Sequence, residues 1–135
     1  MDTDKRSVAK AVANIGRQHY QTTATSANHA IIVDEPKEMN GSDTGMSPFG
    51  LLLSSLGSCT AITLRMYIDR KMWPVEEINI ELEVFAVPKG HLIESRISVK
   101  GDLEHQQISR LIDIANACPI HRLLAGNIMM NTIVA

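Results

Sequence analysis

One stretch of the chain, residues 47–73, constrains the fold more than any other. It reads SPFGLLLSSLGSCTAITLRMYIDRKMW. Ser47 is a favourable N-cap, and Pro48 fits the first helical position. Trp73 marks the other end, because a residue that precedes proline avoids the α conformation. We therefore predict a central helix over 47–72, which from Pro48 to Lys71 is about 36 Å long at a rise of about 1.5 Å per residue.

This central helix carries one narrow polar stripe, and apolar side chains cover most of the remaining circumference. The stripe consists of Ser54, Ser58, Arg65 and Asp69. Gly57 and Ala61 leave room for the close approach of a neighbouring element. A helix that is apolar nearly all round is buried, so this helix is predicted to form the core. Covering it takes more sheet than one such chain easily supplies, which favours a homodimer whose subunits wrap each other's helices.

Length and charge limit the class of protein. A chain of 135 residues fits a single domain over 1–135. Its net charge of -2 gives no electrostatic footprint for nucleic acid or an anionic membrane. The chain has no run of about 18 apolar residues, and its N-terminus lacks the apolar segment of a secretory signal. We therefore predict a cytoplasmic protein with reduced cysteines.

The remaining patterns predict an α+β fold with antiparallel sheets around the central helix. Short runs rich in Val, Ile and Thr predict a β-meander over 7–33, and alternating apolar residues predict a β-hairpin over 76–99. Amphipathic spacing predicts a helix over 103–117, and a proline then begins a short helix over 119–125. A final strand is predicted over 128–134. The strands of the meander are predicted at 8–15, 17–25 and 30–33.

Cys59 lies near the middle of the central helix. By position alone it is a small buried hydrophobe, since free cysteine is among the most buried residue types. It lies too far from the helix N-terminus to gain from the macrodipole. A reactive Cys59 would need a cationic neighbour to stabilise its thiolate.

Cys118 is the predicted N-cap of the short helix that follows it. Free backbone N–H groups and the helix dipole favour a thiolate at such a position. His121 and Arg122 add possible positive charge within one turn. The alternative is an ordinary helix junction, in which His121 is a structural histidine.

Zinc binding is a further alternative for these side chains. Cys118 and His121 have i,i+3 spacing. The residues that could complete four ligands are Cys59, His19 and His29. They are scattered and form no paired motif, so the sequence disfavours zinc. Motifs typical of serine hydrolases, P-loop proteins and Rossmann folds are absent from the sequence.

Two phrases of the sequence resemble a known family. They are GSDTGMSPFGLLLSSLGSCTAITLRMYIDRKMW and ANACPIHRLL, which occur in this order, each with one cysteine on its own predicted helix. In these phrases the chain resembles the OsmC/Ohr family of thiol-dependent peroxidases, and in particular the OsmC-like redox proteins. The resemblance extends from about Asp34 to the C-terminus, with a looser fit before it.

The resemblance implies an OsmC-like fold and an intertwined homodimer with two sites at the subunit interface. It implies that Cys59 is the peroxidatic cysteine, which attacks an organic hydroperoxide, and that Cys118 is the resolving cysteine. The sulfenic acid on Cys59 would condense with Cys118 to a disulfide. A dithiol reductant, for which a dihydrolipoyl protein is the family expectation, would reopen it. This cycle implies no cofactor and no metal.

The peroxidases of the family also use an arginine from the N-terminal sheet, held by a glutamate just after the proline that opens the helix. Here that glutamate position reads Phe49, followed by Gly50, and neither can hold a guanidinium. Arg17 is the best match for the arginine. Arg65 and Arg122 are the alternatives.

Glu35 and Glu38 are candidates to replace the missing carboxylate. The Asp34-Glu35 pair itself precedes Pro36 and is interpreted as a solvated turn at a strand end. The leading prediction is a thiol-dependent peroxidase of organic hydroperoxides that serves oxidative stress defence. The alternatives are a weakly catalytic or non-catalytic relative that binds a small apolar ligand or senses oxidant, and a zinc-binding structural protein.

Overall fold

The computed structural model describes residues 4–135. The described chain forms two compact units, residues 4–52 and residues 53–135, where the sequence predicts a single domain. The architecture is α+β, with antiparallel sheets and one long helix, as predicted. The elements in chain order are β1 (Val12–Ile15), β2 (Thr22–Ser26), β3 (His29–Val33), a short 3-10 helix (Lys37–Met39), α1 (Pro48–Lys71), β4 (Val75–Val87), β5 (Gly90–Gly101), α2 (His105–Ala115) and α3 (Pro119–Ala125).

The first unit contains a three-stranded antiparallel sheet in the order β1-β2-β3. Its first two strands are shorter than the predicted 8–15 and 17–25. The ladder between them begins at Val12 and ends at Ile15, so the residues before it have no partner strand. Residues 17–20 form a bend that delays the start of β2.

The loop after β3 is organised by a buried carboxylate, which corrects the prediction of a solvated turn. Asp34 is only 2% exposed. Its carboxylate accepts backbone N–H groups from Tyr20 at 2.9 Å, Glu35 at 2.8 Å, Ser42 at 3.3 Å and Thr44 at 3.1 Å. It also accepts the hydroxyl of Thr44. These hydrogen bonds, led by the Thr44 hydroxyl, hold the pKa of Asp34 well below its usual range.

Two glycines let the backbone of this loop pass close to neighbouring carbonyl groups. A Cβ on Gly41 would lie 2.0 Å from the carbonyl oxygen of Glu35, and a Cβ on Gly45 would lie 2.0 Å from that of Ile32. Neither position admits a side chain without a backbone shift. The GSDTG phrase is therefore explained by local packing around Asp34.

α1 has a defined cap at each end and is one residue shorter at each end than predicted. At its start, the Ser47 hydroxyl accepts the N–H of Gly50 at 3.1 Å. At its end, Met72 adopts a φ of 58°. The N–H of Trp73 then donates to the carbonyl of Ile68 at 3.0 Å, which is the pattern of a Schellman C-cap.

The core of the second unit lies where α1 packs against the β4–β5 hairpin and α2. Leu64 and Ile68 of α1 are fully buried there. They cluster with Val75 at the start of β4 and with Leu111 and Ala115 of α2. Partly buried side chains of β4 and β5 complete the cluster, so the alternating residues of the hairpin face the helix as expected.

In the single chain α1 is buried along one side, whereas the sequence predicts burial nearly all round. The buried residues are Leu56, Gly57, Thr60, Leu64 and Ile68. Gly57 marks a close approach, because a Cβ there would lie 2.6 Å from Cδ1 of Leu82 on β4. Elsewhere on the circumference Ile62 is 55% and Met66 is 67% exposed. The hairpin and α2 cover only one side of the helix.

By length and composition alone, α1 could also cross a membrane, with a mean hydropathy of 1.3. It is the one such helix among residues 4–135. Core helices of globular domains meet the same criteria, and the buried side of α1 packs in the core described above. Core packing accounts for the apolar character of that side.

The helices after the hairpin lie close to their predicted positions. α2 is two residues shorter at each end than the predicted 103–117. It is closed at its start by a capping box, in which the side chains of Glu104 and Gln107 bond each other's backbone N–H groups. α3 covers the predicted 119–125.

The predicted strand over 128–134 is not present. Residues 127–135 have no regular structure and join neither sheet of the described chain. The β-branched residues of this segment favour a strand, but a strand requires a partner ladder, and the single chain supplies none to it. The exposed apolar residues of the segment are Ile128, Met129, Met130, Ile133 and Val134.

Candidate functional site

The fold brings the two cysteines together. Cys59 lies near the middle of α1, and Cys118 lies immediately before α3, at its N-cap. The two thiols lie close enough for each to shift the pKa of the other, and neither is in a disulfide. This pair is the candidate site, and sequence reasoning had singled out both members.

Cys118 is fully buried and is surrounded by hydrogen-bond donors. Its sulfur accepts the backbone N–H of His121 at 3.3 Å and lies 3.7 Å from the hydroxyl of Thr60. Burial raises the pKa of Cys118, but the bonds from His121, Cys59 and Thr60 outweigh burial and leave this pKa below its ordinary value. The N-cap geometry of Cys118 therefore favours a thiolate.

Cys59 lies in a different environment from Cys118. Its side chain is partly exposed. Burial raises the pKa of Cys59, and the hydrogen bond to Cys118 and the charge of that thiolate raise it further, although the backbone N–H of Ile120 opposes them. Of the two thiols, Cys118 is therefore the one that ionises more readily, and Cys59 the one that holds its proton more firmly.

Thr60 is a site residue that sequence reasoning missed. It is 4% exposed, and its hydroxyl lies 2.9 Å from the carbonyl oxygen of Leu56 and within reach of Cys118. The signal for it was its helical spacing, because Thr60 lies between Gly57 and Leu64 on the buried side of α1. A threonine on that side must bond a carbonyl or another buried acceptor.

The candidate activating arginines lie on different elements: Arg17 in the bend after β1, Arg65 on α1 and Arg122 on α3. Arg17 is exposed in the bend after β1, in the first unit, and its role remains a prediction. Arg65 bonds Asp69 at 3.1 Å and the carbonyl oxygens of Val75 and Glu76 at 3.0 and 3.1 Å. These hydrogen bonds from Arg65 therefore link the C-terminal part of α1 to the start of β4.

The zinc alternative gains no support from the geometry. Within residues 4–135, no group of three or more histidine, cysteine, aspartate or glutamate side chains is placed to hold a metal ion. His121 meets Cys118 through its backbone N–H. That contact is a helix cap.

A cavity of about 930 Å³ is lined in part by the two residues that contact the Cys118 sulfur. It lies between β5, α2 and α3, and Thr60 and His121 contribute to its wall. Most of the wall is apolar, as at Ile97 and Leu111, with His91 and Arg96 as cationic or titratable members. Cys59 is partly exposed, and helical spacing places it on the same side of α1 as the exposed Ile62 and Met66.

These features define a class of protein: an α+β domain whose long helix carries one cysteine against a second cysteine at a helix N-cap. The sequence model of a family described as OsmC-like protein matches residues 41–132, more than half of the chain. The chain belongs to this OsmC-like family. A search of curated proteins gives no match.

Solved structures share the fold at low sequence identity. An OsmC-like protein from Mycoplasma pneumoniae is 22% identical, with a TM-score of 0.75, covering 92% of this chain and 90% of that one. An organic hydroperoxide resistance protein OsmC from Legionella pneumophila is 19% identical, with a TM-score of 0.62 and coverage of 92% and 93%.

A third structure is a putative organic hydroperoxide resistance protein from Vibrio cholerae, which carries captopril in one of its active sites. It is 20% identical, with a TM-score of 0.64, covering 94% of this chain and 90% of that one. At these identities the likeness establishes the fold alone.

Proposed function

We propose that this protein is a thiol-dependent peroxidase that reduces organic hydroperoxides in oxidative stress defence. The observation that supports this most is the pair of neighbouring free cysteines, of which Cys59 is partly exposed and Cys118 is buried. An exposed thiol can meet a peroxide, and a second thiol in contact with it can trap the product. The names of the Legionella and Vibrio relatives, which refer to organic hydroperoxide resistance, support the same substrate class.

In the proposed reaction the thiolate of Cys59 attacks the hydroperoxide O–O bond and becomes a sulfenic acid, and an alcohol is released. Sulfenic acid is the first, reversible oxidation state of a thiol. Cys118 then condenses with it to a disulfide, which limits further oxidation. A dithiol reductant, such as a dihydrolipoyl protein, then reduces this disulfide and completes the cycle in the cytoplasm.

The proposed active form is a homodimer, because the single chain leaves an apolar surface beside Cys59. Met66 lies two turns from Cys59 on the same side of α1, and Ile62 lies next to that line. A second copy that covers this surface would give Cys59 a dry apolar surrounding, which suits a hydroperoxide with an organic tail. A second copy is also the occupant that the packing of α1 predicts.

The first test is the reaction of the reduced protein with a slight excess of cumene hydroperoxide, followed by stopped flow and thiol titration. We expect loss of both thiols within seconds and a Cys59–Cys118 disulfide in the peptide map. Cys59→Ser should abolish peroxide consumption. Cys118→Ser should permit a single turnover and then accumulate a sulfenic acid that a specific trapping reagent labels.

Ser58→Ala is the matched control, because Ser58 is exposed, neighbours Cys59 and bonds only the carbonyls of Ser54 and Ser55. It should behave like the wild type. Equal loss of activity in both cysteine variants, with no trapped sulfenate in Cys118→Ser, would contradict the assigned roles.

The cavity beside Cys118 supports a second candidate function, the binding of a small apolar ligand by a protein with little or no peroxidase activity. Its volume and its mostly apolar wall fit such a ligand. In that case both thiols should survive exposure to stoichiometric hydroperoxide for many minutes. A ligand should then be found in the purified protein by native mass spectrometry.

A further inference from the structure

The Thr60 hydroxyl has two partners within reach of its single proton. Its oxygen lies 2.9 Å from the carbonyl oxygen of Leu56 and 3.7 Å from the sulfur of Cys118. We propose that Thr60 is a positioning residue for Cys118: its hydroxyl accepts the proton of the Cys118 thiol, turns to donate to the thiolate, and so prepares Cys118 for disulfide formation. The part that concerns disulfide formation rests on the proposed function.

The hydroxyl can turn without any movement of heavy atoms. A hydroxyl has one proton and two acceptor lone pairs, and its proton rotates to suit the surroundings. While Cys118 is a thiol, the Thr60 proton points to the Leu56 carbonyl and a lone pair faces the S–H group. When Cys118 ionises, the proton turns to the sulfur. The Leu56 carbonyl then keeps a partner, because within α1 it also accepts the backbone N–H of Thr60.

Burial makes this contact important for the charge on Cys118. Cys118 is fully enclosed and Thr60 is 4% exposed. A negative charge on an enclosed sulfur must be stabilised by donors of the protein itself. The backbone N–H of His121, which α3 holds in place, supplies one donor at 3.3 Å. The Thr60 hydroxyl supplies another from a different helix, and unlike the N–H group it can also serve the neutral thiol as an acceptor.

The titratable and charged groups near Cys118 come from α1, α3 and β5, and they are Cys59, His121, Arg122, His91 and Arg96. Those of α3 bond Cys118 through backbone N–H groups, and those of β5 line the adjoining cavity. The residues that α2 contributes to the cavity wall are uncharged. The Thr60 hydroxyl contacts the sulfur itself and does not titrate in the range of a thiol. Its effect on Cys118 can therefore be measured by a pH titration.

The step that Thr60 assists balances in atoms and electrons. The Cys118 thiolate attacks the sulfur of the Cys59 sulfenic acid, the S–S bond forms and the S–O bond breaks. The Cys59 sulfur is reduced and the Cys118 sulfur is oxidised, each to the disulfide state. The expelled hydroxide and the proton that Cys118 released leave as one water molecule. The Thr60 proton stays on its own oxygen and turns back to the Leu56 carbonyl when the sulfur is neutral again.

The first test titrates the ultraviolet absorbance of thiolate in Cys59→Ser, which leaves Cys118 as the single cysteine. Adding Thr60→Val, which keeps the shape of the side chain, should raise the titration midpoint by about one pH unit, the effect of losing one hydrogen bond to a charged group. Adding Thr60→Ser instead, which keeps the hydroxyl, should leave the midpoint close to that of Cys59→Ser. An unchanged midpoint with Thr60→Val, or an equal shift with both substitutions, would overturn the proposal.

Thr63→Val is the matched control for this titration. It makes the same substitution on the same helix, three residues further along the chain. The sulfur of Cys118 bonds Thr60 and His121, so loss of the Thr63 hydroxyl should leave the midpoint unchanged. A shift as large as that of Thr60→Val would mean that the packing of α1 is the cause, and it would overturn the assigned hydroxyl contact.

The second test separates the two oxidation steps in the chain that has both cysteines. Reduced protein is mixed with cumene hydroperoxide, and sulfenic acid and disulfide are quantified over time in rapidly quenched samples. In Thr60→Val, sulfenic acid should form no more slowly than in the wild type. Below the Cys118 midpoint, disulfide formation should slow about threefold, because an about tenfold smaller thiolate fraction is partly offset by the greater nucleophilicity of a more basic thiolate. Thr60→Ser should restore the wild-type rate. An unchanged rate of disulfide formation in Thr60→Val would contradict the role in this step.

The two tests distinguish failure of this proposal from failure of the proposed function. The titration uses no peroxide, so it decides the contact between Thr60 and Cys118 whether or not the protein is a peroxidase. If the wild type ignores hydroperoxide, the proposed function fails, and the role of Thr60 in disulfide formation fails with it. If the wild type reacts but the midpoint with Thr60→Val is unchanged, the peroxidase stands and Thr60 is only a packing residue.

Discussion

At the scale of single residues, Asp34 shows how a carboxylate can define a loop without taking part in chemistry. It gathers backbone N–H groups from both sides of the 3-10 helix and the hydroxyl of Thr44. A carboxylate with this many donors is far more stable ionised than protonated. The stability of the first unit is therefore linked to pH through this one group.

We expect Asp34 to make the protein sensitive to acid. Because its folded pKa lies below the unfolded value of about 3.8, its contribution is fully present above that value. The contribution is lost as the pH falls from there toward the folded pKa. Asp34→Asn should lower the denaturation midpoint at neutral pH and weaken this acid-dependent loss, as measured by urea unfolding at several pH values.

Asp69→Asn is the control for that experiment, since Asp69 is exposed and forms only an i,i+4 pair with Arg65. It should leave both the midpoint and its pH dependence nearly unchanged. If Asp34→Asn retained the full acid dependence of the wild type, another group would be responsible for it.

At this scale the sequence predicted best those residues whose type and immediate neighbours already indicate a role. Cysteines are few, and Cys118 before Pro119 could be identified as a helix cap from the sequence. The Thr60 hydroxyl beside Cys118 could not be identified from the sequence, because Thr60 lies on another helix and is 58 residues away in the chain. Asp34 was misjudged for the same reason, since all its donors except the adjacent Glu35 come from residues 8 to 14 positions away.

At the scale of elements, the contact between α1 and β4 depends on a glycine. Gly57 lets the helix backbone approach Leu82 so closely that a Cβ would fall 2.6 Å from its Cδ1. A single methyl group could be accommodated by rotation of the flexible leucine. A larger side chain would need more room than the rotation of one leucine provides.

Gly57→Leu should therefore destabilise the fold by about 1–3 kcal/mol, the usual cost of an overpacked core. Denaturant unfolding of the reduced protein measures this directly. Ser58→Leu adds the same side chain at the next, exposed position and is the matched control. A loss of stability as large in Ser58→Leu as in Gly57→Leu would show that packing against Leu82 is not the cause.

Elements defined by local signals were predicted closely, and those defined by pairing were not. α1 and α3 carry their own caps and prolines, so their limits could be read from the sequence to within one residue. The β4–β5 hairpin has alternating apolar and polar residues along the middle of its strands. The segment 128–134 also contains β-branched residues that favour a strand. Whether it forms one depends on a partner strand, which no local pattern specifies.

At the scale of the whole molecule, the described chain leaves two apolar surfaces uncovered. One is the part of α1 that carries Ile62 and Met66, and the other is the segment 127–135. Single exposed apolar residues are common, but contiguous ones indicate an interaction surface. The proposed homodimer would cover the first of these surfaces.

Ile62→Glu tests this assembly, because a charge cannot be buried in an apolar interface without a large cost. We expect the variant to elute as a monomer and the wild type to elute as a dimer in size-exclusion chromatography with light scattering. Ser58→Glu, on an exposed polar position of the same helix, should remain dimeric. A dimeric Ile62→Glu would place the interface elsewhere.

The unequal exposure of the two sulfurs has a consequence for the return half of the proposed cycle. Once the disulfide has formed, an incoming reductant can reach the sulfur of Cys59, while that of Cys118 is fully enclosed. Attack on Cys59 expels Cys118, and thiols of low pKa leave fastest in such exchanges. The same contacts that lower the pKa of Cys118 would therefore make Cys118 the leaving group when the disulfide is reduced. The mixed disulfide with the reductant would then form on Cys59, which belongs to α1.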